Sequence, residues 1–187
     1  MEERVRIMKI MIINICKEKF HYLEFVKPIE DILKKNKINY FVKSYLEINN
    51  RELNVADKVI ICGTSLLDND YIEYYDNFNW LLNFNKPVLG ICGGMQIIGR
   101  LFNGKLLKKT EIGFFKENFK KDFLGLINEN EVYHLHNYYI KFLKKDFKIY
   151  SDGSIPQGIK HREKNIYGVL FHPEVRQKHL ITNFCLL

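Results

Sequence analysis

Short apolar runs alternate with stretches of helical spacing along this chain, and that alternation predicts its architecture. Residues 9–16, Lys9-Ile10-Met11-Ile12-Ile13-Asn14-Ile15-Cys16, read as a first strand buried on both faces, as in parallel sheets. Residues 23–35 carry Leu23, Val26, Ile29, Ile32 and Leu33 at helical spacing, with Pro28 placed to be tolerated or to kink the helix. Residues 39–45 and 59–62 predict the second and third strands. Residues 71–85 predict a helix with Tyr71, Tyr74, Tyr75, Phe78 and Trp80 as a core or docking surface. Val88 to Ile91 predicts a central strand, followed by a helix that stops near Asn103-Gly104. Residues 105–123 suggest strands and a loop. Residues 134–140, 147–150, 158–162 and 165–171 suggest short, partly antiparallel strands, and 176–187 a closing helix. The expected fold class is α/β, a three-layer sandwich with a mostly parallel, flavodoxin-like sheet and a small antiparallel part. Its ligand site belongs beyond the carboxyl ends of the strands.

Chemistry concentrates at two of these strand ends. Gly90-Ile91-Cys92-Gly93-Gly94-Met95-Gln96 joins an apolar strand to a helix. A G-x-C-x-G at that junction is the thiol form of a nucleophile elbow. Gly90 and Gly94 allow the sharp turn, and the helix N-terminus favours thiolate over thiol at Cys92. The N–H of Gly93 is then available to an oxyanion. Phe171-His172-Pro173-Glu174 follows the last strand and supplies a base and a carboxylate. On an extended segment, His172 and Glu174 would project to one face, with Pro173 fixing φ between them. In that order the residues suggest a cysteine nucleophile served by a His/Glu relay.

The paired motifs resemble those of class I, triad-type glutamine amidotransferases, whose elbow reads G-x-C-x-G-x-Q and whose relay reads G-V-x-F-H-P-E. The resemblance runs from Lys9 to about Phe184, as one domain spanning residues 1–187. It places Val59-Ile60-Ile61-Cys62-Gly63-Thr64-Ser65 at the oxyanion loop, and Glu111-Ile112-Gly113 after the elbow helix. It places Val132-Tyr133-His134-Leu135-His136-Asn137 at the segment that carries a histidine between elbow and relay. It thereby implies Cys92, His172 and Glu174 as catalytic residues, and Gly63, Thr64, Gly93, Gln96 and His136 as oxyanion or substrate-binding residues. No metal or other cofactor is implied. Four departures bear on the subfamily: Gly63-Thr64-Ser65 replaces a Gly-Gly-Pro loop, Gly93 replaces the commoner Leu, Met95 stands where one branch has His, and Leu170 replaces a frequent Gln.

The implied activity is hydrolysis of glutamine to glutamate and ammonia through a glutamyl thioester. With no second, nucleotide-binding domain in the sequence, the ammonia is expected to go to a separate synthetase. The resemblance names the synthetase that aminates xanthosine monophosphate to GMP. A stand-alone γ-glutamyl hydrolase and a non-catalytic relative used for binding or regulation are the alternatives. Thr64 resists the positive φ that glycine allows, so the oxyanion loop is expected to rest unformed until a synthetase docks.

Composition narrows the setting. Of 187 residues 47% are hydrophobic, enough for a sizeable core. No apolar run reaches the roughly 18–20 residues that span a bilayer. Met1-Glu2-Glu3-Arg4-Val5-Arg6 is too charged for a secretion signal, so a cytoplasmic, soluble protein is expected. The net charge of +7 comes from scattered lysines without interleaved aromatics, which argues against nucleic-acid binding. Cys16, Cys62, Cys92 and Cys185 lack C-x-x-C metal spacing, and the three outside the elbow read as packing residues.

Overall fold

The computed structural model describes residues 8–187, so the charged stretch Met1 to Arg6 lies outside the described residues. The apolar runs become strands β1 (Lys9–Asn14), β2 (Asn39–Ser44), β3 (Lys58–Ile61) and β4 (Val88–Ile91). After a long hairpin, β5 (Lys105–Phe123) and β6 (Leu126–Lys141), come β7 (Phe147–Ile149), β8 (Gly158–His161) and β9 (Ile166–Val169). Seven strands form one sheet in the order β2-β1-β3-β4-β9-β8-β7, and β5 and β6 form a second sheet of two strands. The first five strands of the large sheet run parallel; β8 and β7 add on antiparallel. This is the expected mostly parallel sheet with a small antiparallel part.

Side-chain alternation splits the core into two layers, one on each face of the sheet. Ile10 and Ile12 of β1 join Val26, Ile29, Leu33, Leu180 and Phe184 on one face. Met11 and Ile13 join Phe78, Leu81, Met95 and Ile98 on the other. Helices α2 (Lys27–Lys35) and α6 (His179–Leu186) therefore cover the first face, and α5 (Gly93–Leu101) the second. Each fully buried Leu or Ile contributes about 1.5–3 kcal/mol of transfer free energy, so the parallel strands are anchored on both sides.

Three local expectations change. The helix expected over 23–35 begins earlier, with α1 (Lys19–His21), and passes through a π turn (Tyr22–Val26) before α2. Pro28 sits at the start of α2 and has no N–H to return to the preceding turn, which accounts for the irregular turn ahead of it. The aromatic segment 71–85 is a short α4 (Asp70–Glu73) followed by a 3₁₀ stretch (Tyr75–Leu82), with Tyr71, Phe78 and Leu81 buried. Residues 105–141 form one continuous hairpin in place of several short strands and a loop. The six-residue α3 (Asn50–Val55), capped by the Asn49 side chain, buries only Leu53 and has too little apolar periodicity to be read from sequence.

Candidate active site

The elbow forms where the glycines place it. Cys92 leaves β4 with φ 47° and ψ −103°, a region that costs a non-glycine residue about 1–3 kcal/mol, and starts α5. Close packing holds it there. A Cβ on Gly94 would strike the Ile61 carbonyl oxygen of the neighbouring strand. A Cβ on Gly63 would lie 2.5 Å from Cε1 of His172 and 3.2 Å from Cβ of Cys92. Gly63 is thus the wall against which thiol and imidazole meet, and only a residue without a side chain fits.

His172 and Glu174 come together, though by a route other than strand alternation. Pro173 to Val175 form a turn, closed by the Val175 N–H donating to the His172 carbonyl at 3.2 Å. The turn folds Glu174 back so that Oε1 lies 2.7 Å from His172 Nδ1, with both side chains 1% exposed. Burial by itself would lower the His172 pKa. The Glu174 carboxylate and the Cys92 sulfur outweigh it and hold the imidazole well above its usual range. The Cys92 thiol donates to the Leu135 carbonyl at 3.5 Å, and His172 Nε2 has no partner within hydrogen-bond geometry.

The other three thiols sit in different surroundings. Burial pushes Cys16 up to about 11, Cys185 up to about 12 and Cys62 well above the usual thiol value.

Strand β6 roofs the site. Leu135, His136, Asn137 and Tyr138 face Thr64, Cys92 and Gln96 across a cavity of about 10 Å³. That is room for about one water molecule. Side-chain bonds hold the roof down: Asn137 Nδ2 donates to the Leu66 carbonyl at 3.1 Å, and Gln96 Nε2 to the Tyr138 carbonyl at 2.8 Å. Gln96 Oε1 accepts from the Tyr71 hydroxyl at 2.7 Å, so both ends of this amide brace the cavity wall. Backbone joins in, since the His172 N–H donates to the Tyr133 carbonyl at 2.8 Å.

The oxyanion loop is fastened through the Thr64 side chain. Thr64 is absent from the positive-φ positions of the described residues, and its hydroxyl donates to Asp68 Oδ2 at 2.6 Å. Asp68, 3% exposed, also accepts from the Lys17 N–H at 3.1 Å and contacts His21 Nδ1 at 2.7 Å. Burial would raise its pKa; Thr64, His21 and the Lys17 N–H outweigh that and hold it below the ordinary 3.8. The β6 roof closes the site above this loop. Gly93 packs against Ile15 and the Tyr71 ring, where a Cβ would lie 2.7 Å from Ile15 Cδ1. Tyr71, Asp68, Tyr138, Glu111 and His134 complete the surroundings without forming a motif. Among them, Glu111 and His134 lie in the segments the resemblance marks, and Tyr71 in the aromatic cluster, but no sequence signal gave any of the five a place in the site.

Of the residues expected at the site, Thr64, Cys92, Gln96 and His136 line one cavity, Gly63 adjoins Cys92 and His172, and Gly93 begins α5. The arrangement suits attack by sulfur on a carbonyl, with a carboxylate-oriented imidazole at hand.

Comparison with known proteins agrees with this geometry. A subunit of the glutamine-hydrolyzing GMP synthase of Methanobrevibacter smithii is 33% identical over 51% of this chain and 54% of its own length. Its counterpart in Methanococcus maripaludis strain C5 is 36% identical over 57% of this chain and 62% of its own. The chain thus spans little more than half the length of these curated relatives. A crystal structure from Thermoplasma acidophilum, provisionally assigned as the corresponding GMP synthase subunit, superposes with a TM-score of 0.83. It is 23% identical, with 96% of this chain and 92% of that one covered, a likeness of fold. A glutamine amidotransferase from Thermotoga maritima gives a TM-score of 0.70 at 17% identity over 89% of this chain and 76% of that one. Residues 21–185 match the family described as Glutamine amidotransferase class-I, and with that match over most of its length the chain belongs to the class-I glutamine amidotransferase family.

Proposed function

We propose that this chain hydrolyses the side-chain amide of glutamine with Cys92, His172 and Glu174 and passes the ammonia to a separate synthetase. The observation that carries the reading is the left-handed backbone of Cys92 at the start of α5, beside a buried His172–Glu174 pair.

In this reading the Cys92 thiolate attacks the δ-carbonyl carbon, and negative charge gathers on its oxygen beside the N–H groups that begin α5. His172, protonated through its pairing with Glu174, gives a proton to the departing nitrogen as the C–N bond breaks, releasing ammonia. A glutamyl thioester remains on Cys92. His172 then takes a proton from water, whose oxygen attacks the thioester, and glutamate leaves as sulfur is restored. Glu174 fixes the tautomer and steadies the imidazolium without taking the proton.

The relatives support the choice of partner: they are named as subunits of a glutamine-hydrolyzing GMP synthase, and a synthetase that aminates a purine nucleotide is the acceptor this favours. The 10 Å³ cavity supports the same reading, because glutamine needs far more room. Lifting the β6 roof is work that a docking synthetase can do, and a closed resting site keeps ammonia from being released unused. A stand-alone γ-glutamyl hydrolase would need an open pocket instead.

The test is ammonia release from glutamine by the lone chain and by the chain mixed with the nucleotide-aminating component of a GMP synthase. A low basal rate that rises on mixing supports the proposal. Full activity alone, unchanged by any synthetase, would favour the stand-alone hydrolase. No turnover in either setting would leave a binding or regulatory role.

A further inference from the structure

The expectation of no metal rested on cysteine spacing, and the β5–β6 hairpin holds a different donor set. His134 and His136 alternate onto one face of β6, and Glu111 sits directly across the ladder from His136. A break in register between Lys108 and Glu111 re-aims the β5 side chains at this point. Glu111 Oε2 lies 3.3 Å from His134 Nδ1 and 3.2 Å from His136 Nε2, and the three ligand atoms all fall within 4.8 Å of one another.

None of these contacts satisfies the groups that make them. Glu111 Oε2 and both ring nitrogens of His134 and of His136 are buried without a hydrogen-bond partner. The two histidines are 1% and 2% exposed. An unpaired buried polar group costs about 1–3 kcal/mol, so three such atoms meeting at one point, one from each residue, call for a common partner.

We propose that Glu111, His134 and His136 form a binding site for a divalent transition metal, zinc first of all, at the wall of the Cys92 cavity. The spacing suits the ion. Zinc bonds of about 2.0–2.2 Å at tetrahedral angles put neighbouring ligand atoms about 3.3–3.5 Å apart. Glu111 already stands at 3.3 and 3.2 Å from the two ring nitrogens. Two imidazoles and a carboxylate select zinc and its neighbours over magnesium or calcium, which prefer oxygen alone. A second carboxylate completes the set: Glu117 Oε1 lies 3.4 Å from His134 Nε2, where it can accept the N–H of a ring that ligates through Nδ1. Three protein ligands leave a fourth position for water or another donor. His136 also lines the cavity, so the metal would clip β5 to β6 beside the thiol. This site stands apart from the glutaminase reading and is tested without glutamine.

The experiment is titration of the metal-stripped full chain with zinc against a chromogenic chelator, followed by cobalt(II) absorption spectroscopy. The wild type should bind one zinc per chain and give cobalt d–d bands without a thiolate-to-cobalt charge-transfer band. Glu111→Gln and His134→Asn should each lose that site while keeping the native circular dichroism spectrum. Glu117→Gln should weaken binding by about ten- to a hundredfold. Should the ligand variants fail to fold, Cys92→Ser decides: unchanged zinc affinity supports the hairpin site, and loss of binding overturns it. No zinc bound by the folded wild type, undiminished binding by Glu111→Gln, or a strong thiolate band would each overturn it too.

Discussion

The elbow and the hairpin make one site by opposite means. From Gly90 to Gly99 every residue is buried, the turn is strained, and each glycine sits where a side chain would collide. The hairpin is largely exposed along β5; Phe119, Leu126, Val132 and Ile140 anchor it in the core, and at the site it is held by hydrogen bonds involving Tyr133, Leu135, Asn137 and Tyr138. In the proposed reading the elbow positions the chemistry and the hairpin controls access to it. The two regions should then respond differently to the same kind of change, and the following substitutions separate them.

The largest effect belongs to the relay. Cys92→Ala and His172→Ala should each lower synthetase-stimulated ammonia release by about four orders of magnitude or more, while Glu174→Ala leaves a larger remainder because it acts through His172. Steady-state rates check this, and near-parental turnover in His172→Ala would remove the relay from the mechanism. Next comes the wall. Gly63→Ala should displace the His172 ring, and a misplacement of about 1 Å costs on the order of a hundredfold in kcat. Its folded spectrum should remain while its rate falls; an unchanged rate would mean that the ring tolerates the move.

The roof should answer in the opposite direction. Asn137→Ala removes the bond to Leu66, worth about 0.5–1.5 kcal/mol, and should raise the basal rate of the lone chain by about two- to tenfold. A fall in basal rate would show that the roof aids the chemistry more than it blocks it. The smallest effect is at Asp68, which fastens the Thr64 loop to Lys17 and His21. Its folded pKa is depressed, so its stabilisation is present above the ordinary 3.8 and is lost as pH falls through the folded value. Asp68→Asn should therefore be about 1 kcal/mol less stable at neutral pH, and its unfolding curve should converge with the wild type's in acid.

How far the sequence disclosed each region follows the same division. The turn at Cys92 and the nearness of His172 to Glu174 were legible because glycines and a proline constrain the backbone locally, and local constraint is written in adjacent residues. The parallel strands were legible because burial on both faces needs continuous apolar runs such as Ile10 to Ile13. The hairpin was not, because its β5 strand is largely exposed and leaves little apolar alternation to read. Glu111 and His134 depend on cross-strand register, and Gln96 on Tyr71 and Tyr138, pairings that no sequence spacing encodes. His172 and Glu174 were rightly paired but for the wrong local reason, since a turn rather than a strand joins them.

One consequence lies in the two backbone oxygens of β6. Tyr133 receives the His172 N–H and Leu135 receives the Cys92 thiol, so the proposed base and nucleophile are tethered two residues apart on a single strand. Any movement of that strand large enough to admit a substrate also slackens both tethers. If the proposed chemistry holds, loading and reacting are successive phases of a cycle, with the hairpin as its escapement.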